Sequence, residues 1–77
     1  MGKREDFLWI VQSIMIKHHD NITGWSNVVG DAVAASYCIP EDMTARKAAS
    51  DFCSAKVEGF AEDADVPMWM ANLEDPV

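Results

Sequence analysis

Residues 7–16 read FLWIVQSIMI, in which eight of ten positions are apolar. Wound into a helix at about 100° per residue, Ile10, Ile14, Phe7, Val11, Met15 and Leu8 cover a continuous arc of about 160°. That arc is wide enough to pack on two neighbouring helices. Trp9 and Ile16, two turns apart, fall near about 200° and 180° on the opposite side, flanked by Gln12 and Ser13. The pattern predicts a helix over 3–19. Glu5 and Asp6 in its first turn and Lys17, His18 and His19 in its last complement the helix dipole. Asp20-Asn21 suits the exit turn, because Asn tolerates the left-handed backbone that ends helices.

A second stripe, Trp25, Val28, Val29, Ala32, Val33 and Ser36, follows helical spacing and predicts a helix over 23–37, with Thr23 as its cap and the stripe as core. Gly30 and Ala34, one turn apart on a neighbouring face, leave the backbone nearly bare for another helix to approach. Pro40 forces Ile39 out of helical geometry, and Pro40-Glu41-Asp42 suits a turn before Thr44 caps a third helix over 44–61. Ala45, Ala48, Ala49, Phe52, Cys53 and Phe60 form its apolar stripe. Lys56 falls inside that arc and must snorkel or pair with a carboxylate. On a continuous helix Asp51, Glu58 and Glu62 would line up within about 40° as an acidic ridge. Asp65 and Pro67 start a short fourth helix over 66–73, whose Val66, Met68, Trp69, Met70 and Leu73 suit a lid over the core or an adaptable gripping surface. The expected fold is therefore all-α: one domain over 1–77, a compact three-helix bundle with a short fourth C-terminal helix.

Composition fits a thin core. The chain has 77 residues, 49% of them hydrophobic and 25% charged, which suits a small globular domain rather than a disordered one. Charge is asymmetric: of the formal net −7, residues 1–40 carry −1 and residues 41–77 carry −6. A surface of that sign repels phosphate, so nucleic acid and anionic membranes are disfavoured as partners, and a protein with a basic or apolar patch is favoured. The run 7–16 is too short to span a bilayer and follows two carboxylates, which argues against a signal peptide and points to a cytoplasmic setting. Cys38 and Cys53 then read as small buried thiols. With His18 and His19 they match no metal-ligand spacing, so no metal or other cofactor is expected.

No nucleophile elbow, phosphate-binding loop or zinc motif is present, and His18 lies on the apolar arc of the first helix without a visible reacting partner, so an enzyme is not expected. Arg46 and Lys47 at the start of the third helix are what a helix-turn-helix DNA reader would need, but they share that helix with the acidic ridge. The expected function is a small acidic non-enzymatic protein-binding module. A short acidic chain without enzyme motifs fits the type of product by which phages and mobile elements inhibit a host protein, DNA mimicry included; that is an argument from type. Trp9 and Ile16, rimmed by Gln12 and Ser13, form the expected partner face, with Trp69 and the ridge Asp51, Glu58 and Glu62 as further contact residues. The alternatives are a self-associating structural or accessory protein, a homodimer joined through Gly30 and Ala34 or through Trp9 and Ile16, and a small DNA-binding regulator.

Overall fold

A computed structural model describes residues 2–61. Three α-helices follow one another, α1 (Lys3–Lys17), α2 (Trp25–Ser36) and α3 (Ala45–Lys56), with one 3-10 turn at His19–Asn21 and no strand among the described residues. The fourth helix expected over 66–73, Trp69 included, lies outside the described residues.

Each helix starts by a different device. The carbonyl of extended Gly2 accepts from the Asp6 N–H at 3.1 Å, and Glu5 and Asp6 place negative charge in the first turn of α1. At α2 the expected Thr23 cap is replaced by Gly24, whose φ of 72° is readily reached only without a Cβ. Its carbonyl accepts from the N–H groups of Asn27 at 2.9 Å and Val28 at 3.1 Å, so the helix starts two residues later than the spacing suggested. Thr44 caps α3 as expected, its Oγ1 accepting from the Lys47 N–H at 3.1 Å.

The third helix ends five residues earlier than the apolar spacing implied. Val57 turns extended, and Gly59 adopts a φ of 83°. The spacing misled because Phe60 still reaches the core: the turn carries it back against the cluster, and Val57 is itself buried.

The helices run up, down and up. Arg4 Nε donates to Ser36 Oγ at 3.0 Å and Arg4 Nη2 to Tyr37 Oη at 2.7 Å, pinning the start of α1 to the end of α2. Lys3 Nζ donates to the carbonyl of Glu41 at 2.9 Å, just ahead of α3. At the opposite end of the molecule Gly59 lies beside Asn21 and His18. Packing is unequal. Helices α1 and α3 share most of the interhelical contacts, α1 and α2 fewer, and α2 and α3 fewest. Phe7, Ile10, Val11, Ile14 and Met15 of α1 are buried, and across from them Ala45, Ala48 and Ala49 keep α3 slim enough for the two backbones to come close. Phe7 and Phe52 meet edge to face with centroids 5.9 Å apart.

Helix α2 departs from the expected core stripe. Only Val28, Ala32 and Ser36 are buried; Trp25, Val29 and Val33 are exposed. The stripe is real, but α2 touches the other two helices along one edge of it only. Cys38 is exposed in the turn after α2, contrary to the expectation of two buried thiols, while Cys53 is fully buried; neither forms a disulfide. Lys56 takes the paired alternative, with Nζ 3.2 Å from Asp31 Oδ2. Both groups of that pair are about half exposed, so it adds little to stability.

Candidate functional site

The outer side of α1 stands as the sequence arc placed it. Trp9 is 43% and Ile16 61% exposed, and Gln12 between them is exposed. Ser13 is half-buried, its hydroxyl donating to the Trp9 carbonyl at 2.9 Å, so it satisfies itself on its own helix and leaves Gln12 as the polar neighbour.

What sequence reasoning missed lies beside this pair. Between α1 and α2, on the side that α3 does not cover, runs an apolar groove of about 390 Å³. Leu8, Gln12 and Met15 form one wall and Trp25, Val29 and Val33 the other; Val11 and Ala32 lie at its floor, both buried. No ionisable side chain among the described residues lines it. At 100° per residue Leu8 and Gln12 lie next to Ile16 and Trp9 around α1, so the groove and the outer pair form one continuous face. Every large apolar side chain exposed among the described residues belongs to α1, to α2 or to Tyr37 just after it, and none to α3. The signal was present in the α2 stripe, which is wider than a helix of 12 residues touching its neighbours along one edge can bury.

The acidic contact residues separate. Asp51 sits on α3 with Oδ1 3.2 Å from Lys47 Nζ; Glu58 is exposed in the turn beyond the helix; Glu62 lies outside the described residues. The ridge rested on a continuous helix, and α3 stops at Lys56, so the 100° projection no longer relates Glu58 to Asp51. Lys47, one of the two bases a DNA reader would use, is held by that same Asp51. No group of three or more His, Cys, Asp or Glu side chains among the described residues is placed to hold a metal ion. No helix among them is long and apolar enough to cross a membrane.

No family model, curated protein or solved structure matches the chain. Function has to be argued from the face itself.

Gly30 borders this face and tests what it is for. A Cβ built on Gly30 meets nothing within 4 Å among the described residues, so none of them needs the glycine there. Gly30→Ala is therefore expected to raise the unfolding free energy by about 0.5–1 kcal/mol, the usual gain of alanine over glycine inside a helix. A urea titration checks it, and a loss of stability would mean that the helix depends on a bare backbone at this position.

Proposed function

We propose that the chain is a small acidic, non-enzymatic protein-binding module, acting in the cytoplasm, that engages its partner through the apolar face of α1 and α2. The observation that carries this reading is the gathering of the exposed large apolar side chains on those two helices. A face of this kind, built from large apolar side chains that include two Trp and interrupted by one Gln, has the composition of a protein interface. The net charge of −7 favours a partner with a basic patch. An inhibitor of a host protein, of the type phages and mobile elements make, is one form this function takes, in keeping with the acidic charge and the lack of enzyme motifs in the sequence.

The test is capture from the native host, identification of the captured protein by mass spectrometry, and titration of that protein against variants. Trp9→Ala and Ile16→Ser are each expected to weaken its binding by at least tenfold, about 1.4 kcal/mol. Both variants should keep cooperative unfolding, because both side chains are substantially exposed. Reversal of the charges at Asp51, Glu58 and Glu62 tests the acidic contribution separately. Undiminished binding in all three variants would sink the proposal.

The second reading is self-association through the same face, favoured by Gly30 having no described residue within 4 Å of an added Cβ. Sedimentation giving a monomer at tens of micromolar would remove it.

A further inference from the structure

We draw no further inference here: the strongest candidate, the apolar groove between α1 and α2 walled by Leu8, Met15, Trp25, Val29 and Val33, carries nothing because nothing in the structure shows what covers it.

Discussion

Phe7→Ala is expected to lower the unfolding free energy by about 3–5 kcal/mol, the cost of truncating a fully buried aromatic residue. The residue is 1% exposed and contributes one edge of the Phe7–Phe52 pair, so the substitution removes transfer energy, a ring contact and packing at once. A chain of 77 residues carries a total stability of roughly 4–12 kcal/mol. The variant should therefore show a sharply lowered urea midpoint and, at the low end of that range, a largely unfolded baseline. A change below about 1 kcal/mol would mean that α1 does not pack through Phe7.

Ala49→Leu is the second large effect, and it approaches the same interface from the other helix. Ala49 is 0% exposed and sits on the slim face that lets α3 come close to α1. Three added carbons have nowhere to go without separating the helices, which costs about 1–3 kcal/mol or more. The expectation reverses the usual gain from a larger apolar side chain, and a thermal melt distinguishes the two: a raised midpoint would show unfilled space between α1 and α3.

These expectations differ in sign and size from that for Gly30→Ala because α1 and α3 face each other across the core while Gly30 has no described residue within 4 Å of an added Cβ. The sequence showed some of this directly. The core side of α1 was legible directly, since an arc of about 160° gathers its six buried or half-buried apolar residues and leaves Trp9 and Ile16 outside it. Cover for that outer pair from the 66–73 segment, the other expectation, lies outside the described residues. The α2 stripe was legible as a stripe but not as half-covered. Periodicity reports which residues share a face; how much of that face is buried depends on where the other helices sit, and α2 is touched along the Val28, Ala32 and Ser36 edge alone. Burial of Asp6, 4% exposed and with no hydrogen-bond partner for Oδ1 among the described residues, was hidden for a similar reason: its place in the first turn spoke for the helix dipole and concealed its position one turn before Ile10. Gly59 was a visible stop signal for α3, overridden in the reading by the spacing of Phe60, which arrives at the core through a turn instead. The groove followed from no single segment, because its walls come from two.

The unequal packing of the three helices also bears on how the chain reaches this structure. The best-packed pair is not a pair of sequence neighbours: α1 and α3 are separated by all of residues 18–44, and Phe7 must find Phe52. An all-helical chain of this length is ordinarily rich in local contacts, yet here the main core joins helices at either end of a long loop, whose closure carries an entropic cost. Helix α2 is carried inside that loop. The contact that closes the main core therefore joins the two ends of the described chain, and the helix that leaves the most large apolar side chains exposed shares the fewest contacts with the other two.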